Sequence, residues 1–148
     1  MSSLTTDRFS IQFPDGAELV EEEHLETSDP FAVWRLLGPH ALFWTLSVHR
    51  PEITPPLAVN QVLGNVLAQY RQRPGFASIS EMQVRVATGI QMTTRVVFRD
   101  SVNEPLRVDV VSLDIASGEV LLLQLAVPAW ETIDADWMSD ALETLELR

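Results

Sequence analysis

The chain contains no cysteine and no lysine. Without cysteine there is no thiolate nucleophile, no thiolate metal site and no disulfide, and a cysteine-linked lipid anchor is not expected. Without lysine there is no Schiff-base chemistry and no lysine for a phosphate-binding loop. Long apolar runs are also missing. The longest, residues 120–127, is interrupted by Gln124 and falls well short of the ~18–20 residues that span a bilayer. The opening MSSLTTDRFS lacks the basic stretch and apolar core of an export signal, so a cytoplasmic protein is expected. Glycine is sparse and scattered: Gly16, Gly38, Gly64, Gly75, Gly89 and Gly118 stand singly, which leaves neither a phosphate cradle nor a dinucleotide fingerprint.

Positive charge is scarce as well. Ten arginines face 21 carboxylates, for a net charge of −11. Such a surface repels a phosphate backbone and an anionic membrane alike, so neither nucleic acid nor membrane is an expected partner. Apolar residues, by contrast, make up 46% of the 148 positions. A chain of this length buries roughly 70% of the surface its unfolded form exposes, so one domain spanning 1–148 and one core are expected.

Patterning supplies the elements. Phe9, Ile11 and Phe13 alternate with polar residues as a strand does, and Pro14-Asp15-Gly16 ends it as a turn. Residues 17–30 carry few apolar anchors and read as a loop or a short helix. Residues 31–37 and 42–49 read as two strands joined by Gly38-Pro39-His40-Ala41. Thr54-Pro55-Pro56 offers a cap and a helix start; Val59, Val62, Leu63, Val66, Leu67 and Tyr70 follow on one stripe, and Pro74-Gly75 stops the helix. Gly64 lies inside it, where a missing side chain would allow a strand to approach closely. Period-two alternation then runs through four strands, to about residue 127, joined by turns too short for crossover helices. The last of the four is apolar on both faces and is expected at the centre of the sheet with both faces covered. Trp137, Met138, Ala141, Leu142 and Leu145 form a terminal amphipathic stripe, with Asp134 and Asp136 at its start.

Chemistry is harder to find. His24, His40 and His49 lie in different elements with no partner histidine one turn away, and His49, closing a strand beside Arg50, reads as structural. The run Glu21-Glu22-Glu23-His24 with Glu26 has neither the spacing nor the glycine of a calcium loop, so no metal or cofactor is expected. It reads as solvated surface, and reversing Glu21, Glu22 and Glu23 to arginine should leave the melting temperature within a few degrees. No G-x-S-x-G elbow is present, and an enzyme is not expected. Gln91, Thr93, Arg95, Arg99, Arg107 and Asp109 form a polar row across neighbouring strands, ordinarily explained by Arg–Asp pairs. Trp34, Trp44, Trp130 and Trp137 are candidates for core or for an interface, where tryptophan is enriched.

The order of these elements resembles the PsbP-like fold shared by the photosystem extrinsic protein, the Ran-binding Mog proteins and bacterial DcrB-type proteins. The residues that carry the resemblance are Phe9-Ser-Ile-Gln-Phe-Pro-Asp-Gly16 at the start and Val127-Pro-Ala-Trp130 running into Leu142 and Leu145 at the end. It departs from that pattern at Ala17, where an aromatic often follows, and in lacking a signal peptide and lipobox cysteine. The resemblance implies a binding or assembly module without catalysis, in some members an adaptor chaperone holding an apolar helix of a client in a groove.

The reading is therefore an α+β protein: a mainly antiparallel sheet of about six or seven strands flanked by helices on both faces, a PsbP-like α/β/α sandwich. It is expected to bind a protein partner or client through Glu21, Glu22, Glu23, Trp34, Trp44, Arg95 and Arg107, with no cofactor. A small-molecule-binding or enzymatic domain with a closed pocket is the alternative, and a homodimer with interfacial tryptophans the third reading.

Overall fold

A computed structural model describes residues 2–25, 27, 29–51, 57–86, 89–99, 105–116, 118–128, 130 and 136–148, and the side chains of all of these except 84–86, 89, 90 and 116. The chain begins with β1 (Ser2–Thr5) and β2 (Phe9–Phe13), paired antiparallel with Leu4 opposite Ile11. Phe9, Ile11 and Phe13 are completely buried, as their alternation requires. β2 ends where the Gly16 N–H donates to the Phe13 carbonyl at 2.9 Å and Gly16 adopts φ +80°.

The acidic segment is a strand, β3 (Glu18–His24), which corrects the expected loop or helix. All seven of its residues are exposed, so it has no buried face for the sequence pattern to reveal. It is held by pairing along one edge only, to β4 (Ala32–Leu37), with an irregularity between Leu19 and Glu21. β4 turns through Pro39–Ala41 into β5 (Phe43–His49).

α1 (Leu57–Arg71) buries Ala58 and Val62, with Val59, Leu63, Val66, Leu67 and Tyr70 partly buried beside them, on the stripe that the spacing predicts. The cap expected at 54–56 lies outside the described residues. Past the helix, Gly75 has φ +80° and its carbonyl accepts the Arg99 N–H at 2.8 Å. A Cβ there would stand 1.8 Å from the Arg99 carbonyl oxygen, so the backbone approach admits only glycine.

The meander follows as β6 (Phe76–Val86), β7 (Gly89–Arg99), β8 (Pro105–Ala116) and β9 (Glu119–Pro128). Residues 100–104 and 117, assigned to its turns, lie outside the described set. The large sheet has the order β3-β4-β5-β9-β8-β7-β6, every pair antiparallel. β9 is thus central, between β5 and β8, as its two apolar faces predict. Leu121, Leu123, Leu125 and Val127 join a core on one side, and Val120 and Leu122 join a second core on the other. Burying side chains of this kind stabilises the fold by ~1.5–3 kcal/mol each.

The two faces are closed differently. α1 packs across β8 and β9 on the Val120–Leu122 side. The opposite face is closed by a second sheet, β1-β2-β10, where β10 (Glu146–Leu147) returns beside β2. α2 (Trp137–Leu142) adds Met138, Ala141 and Leu142 to that core. Its N-cap Asp136 accepts from the Ser139 N–H at 3.1 Å; Asp134 lies outside the described residues. The helix ends before Leu145, the last residue of the expected stripe, because the chain turns there to become β10. The result is a sheet-rich α+β fold with a seven-stranded antiparallel sheet. The expected α/β/α sandwich is corrected to this extent: a small sheet, which the sequence pattern did not disclose, is a main part of the second layer.

A polar cleft as candidate functional site

α1 is a single 15-residue helix and lies on β8 and β9. It is too narrow to cover the same face of β4 and β5 as well, and the uncovered portion forms a cleft of about 640 Å³. Antiparallel register decides what lines it. Thr45 and Ser47 of β5 point into it with Gln124 and Leu122 opposite them on β9, and Arg35 and Val33 opposite on β4. Gln61, Asn65 and Gln69 lie along the α1 wall, with Val62 and Val66 between them.

One end of the cleft holds a linked trio. Ser47 and His49 are two residues apart on β5 and share a face. The Ser47 Oγ lies 2.8 Å from His49 Nε2, and His49 Nδ1 lies 3.2 Å from Asp29 Oδ1. Asp29 also accepts the Arg50 N–H at 3.1 Å, and the adjoining chain is tied back where the Phe31 N–H donates to the Val48 carbonyl at 3.0 Å. Burial lowers the His49 pKa, with the Asp29 carboxylate opposing that shift; the ring is therefore held mainly neutral. Arg50 also lines the cleft; its guanidinium stacks 3.7 Å above the Phe31 ring and shares the Glu119 carboxylate with Arg8.

At the other end, the Tyr70 hydroxyl donates to Gln124 Oε1. That bond fixes the amide and leaves its Nε2 as a donor at the cleft wall. Burial raises the Tyr70 pKa, with Arg73 opposing it. On the rim, Arg35 pairs with Glu21 at 3.1 Å and Glu23 at 3.8 Å.

The residues singled out from the sequence are dispersed. Glu21, Glu22 and Glu23 are exposed on edge strand β3, but Glu22 is not merely solvated: it accepts the Trp34 indole N–H at 3.1 Å and contacts His24 Nε2 at 2.8 Å. Those bonds, to His24 first and then Trp34, lower its pKa. Trp34 and Trp44, at 2% and 0% exposure, are buried in the core. Trp34 packs edge-on against Phe9 and Trp44 against Phe13.

Arg95 and Arg107 lie on the other face of the large sheet. Arg95 grips Asp109 through Nε–Oδ1 at 2.9 Å and Nη2–Oδ2 at 3.3 Å, the pairing that the cross-strand row suggests. Arg107 is 4% exposed, with Nε 3.3 Å from Asp109 Oδ2. Burial lowers its pKa. Both guanidinium groups lie within 6 Å of the Trp130 ring, at 5.8 and 5.9 Å.

The cleft itself was missed. Its sequence signal was the Ser47-Val48-His49 alternation, legible as one strand face, whereas Asp29 reaches His49 only through the tertiary path of the chain. Among the described residues no three histidine or carboxylate side chains gather as metal ligands, and no helix is long and apolar enough to cross a membrane.

No family model and no curated protein sequence matches the chain. Among solved structures it is similar to LpqN of Mycobacterium tuberculosis, a protein involved in cell envelope biogenesis, at a TM-score of 0.53 and 17% identity over 99% of this chain and 84% of that one. At that identity the likeness is one of fold.

Proposed function

We propose that the protein is a PsbP-like binding module that holds an extended, polar segment of a protein partner in the cleft between α1 and β4, β5 and β9. The observation that carries this reading is the gathering of Thr45, Ser47, Gln61, Asn65, Gln69 and Gln124 on one concave surface. Amide side chains offer both a donor and an acceptor, which matches the alternating N–H and C=O groups of an extended peptide. An apolar client helix, the occupant that the family resemblance implied, suits this lining less well. The acidic edge of β3 and the net charge of −11 favour a segment carrying positive charge. The similarity to LpqN supports the fold assignment, and a role in cell envelope assembly is the cellular setting it suggests.

The test is affinity capture from the native host with the wild-type protein and an Asn65→Trp variant, in which a bulky side chain on an exposed helix position fills the cleft. Circular dichroism establishes that both are folded. A protein retained by the wild type and lost with the variant supports the reading. Equal retention by both, or none by either, overturns it.

A further inference from the structure

We infer that Ser47, His49 and Asp29 form a nucleophile-activating relay that cleaves short-chain carboxylic esters in the cleft, with Ser47 and His49 as catalytic residues and Asp29 as the positioning residue. This goes beyond the binding role and does not depend on it: failure to capture a protein partner leaves the relay untouched.

The argument begins with proton positions. Asp29 can only accept from His49, so Nδ1 carries the proton and Nε2 presents its lone pair. The opposite tautomer would set an imidazole lone pair against a carboxylate oxygen. Nε2 therefore accepts the Ser47 hydroxyl at 2.8 Å. This is the arrangement that a serine nucleophile needs: a base within hydrogen-bond reach of the hydroxyl, and a carboxylate that fixes the tautomer of that base. A His49 ring held mainly neutral is able to take the proton.

Substrate class follows from the neighbours. Register places Val33 on one side of Ser47 and Leu122 on the other, and Val62 of α1 lines the same cleft. These apolar side chains suit a small acyl group. Ser47 is only 4% exposed, so the reacting carbonyl must enter the cleft, which disfavours a bulky acyl chain.

In the first half-reaction the Ser47 Oγ–H proton passes to His49 Nε2 while Oγ bonds to the ester carbonyl carbon. The carbon–alkoxy bond then breaks, and the alkoxy oxygen leaves as an alcohol with the proton from Nε2. In the second half, water gives a proton to Nε2 and its oxygen attacks the acyl carbon. The acyl–Oγ bond breaks, Oγ regains the proton, and a carboxylic acid departs.

The test uses the intact protein and a biotinylated fluorophosphonate, on which Oγ bonds to phosphorus and fluoride leaves. Peptide mass spectrometry is expected to place the adduct on Ser47. With 4-nitrophenyl acetate, a burst of nitrophenolate equal to the protein concentration is expected. His49→Gln should slow labelling by at least ~100-fold, the size of a general-base contribution. Asp29→Asn should slow it while moving the pH dependence of the labelling rate, which a merely structural aspartate would not do. A wild-type protein that takes no label at Ser47, or a folded His49→Gln protein labelled at the wild-type rate, overturns the inference. Because labelling is read first on the wild type, a variant that fails to fold does not rescue it.

Discussion

The Trp44 indole N–H donates to Asp15 Oδ2 at 3.0 Å. This bond ties the Pro14-Asp15-Gly16 turn after β2 to the start of β5, and so joins the small sheet to the large one. Trp44 is completely buried, so loss of its acceptor leaves a donor stranded away from water. Asp15→Ala should cost about 1–3 kcal/mol, or a fall in melting temperature of roughly 3–10 °C. Asp15→Asn, which keeps a carbonyl acceptor, should cost less. Thermal denaturation followed by circular dichroism checks both.

Two glycines should respond in opposite directions. Gly75→Ala would force an alanine to φ +80° and put its Cβ against the Arg99 carbonyl oxygen, with an expected loss of at least ~1–3 kcal/mol. Gly64 has nothing within 4 Å of an added Cβ, so the close strand approach expected at that position is absent. Gly64→Ala should stabilise α1 by about 0.5–1 kcal/mol. Denaturant titration of both variants measures the difference.

The three glutamates of β3 are not equivalent. Glu21 and Glu23 pair with Arg35 at an exposed rim, where such contacts are worth ~0–1 kcal/mol. Glu22 accepts from the buried Trp34 indole, and Glu22→Ala should cost ~1–3 kcal/mol by leaving that donor unpaired. Reversal of all three charges should therefore lower the melting temperature by more than the few degrees that a solvated run implies. Single alanine variants at 21, 22 and 23, melted side by side, separate these contributions.

Stability should fall on mild acidification because of His49. Its folded-state pKa lies below the ordinary value of about 6.5, so the unfolded chain takes up the proton first. The neutral ring favours folding above pH ~6.5, and this contribution is lost as pH falls from there through the depressed folded value. Comparison of wild-type and His49→Gln melting curves between pH 7.5 and 5 should show a steeper decline for the wild type over that window. Parallel curves would show that His49 does not carry the pH dependence.

Elements that repeat a buried face were legible in the sequence. The α1 stripe, the FSIQF alternation of β2 and the four-strand meander each place several apolar residues at one fixed period, which local geometry alone enforces. β3 was not legible because an edge strand exposed on both faces shows no alternation. β1 and β10 were not, because each is short, and β10 gains its form from pairing with β2 across almost the whole chain length. The burial of Trp34, Trp44 and Arg107 was not legible for a related reason. A large amphipathic side chain suits a core or an interface equally, and only the layer that closes over it decides between them.

The sequence by itself determined that the chain is an acidic α+β protein, with one helix amphipathic enough to close a sheet face and a central strand apolar on both sides. These follow from composition and from periods of 2 and 3.6 residues, which the backbone imposes locally. The tertiary structure alone decided that a second small sheet closes the other face, that α1 leaves part of β4 and β5 uncovered, and that Asp29 meets His49. Each of those depends on strand order and register between segments far apart in the chain, and no local pattern encodes them.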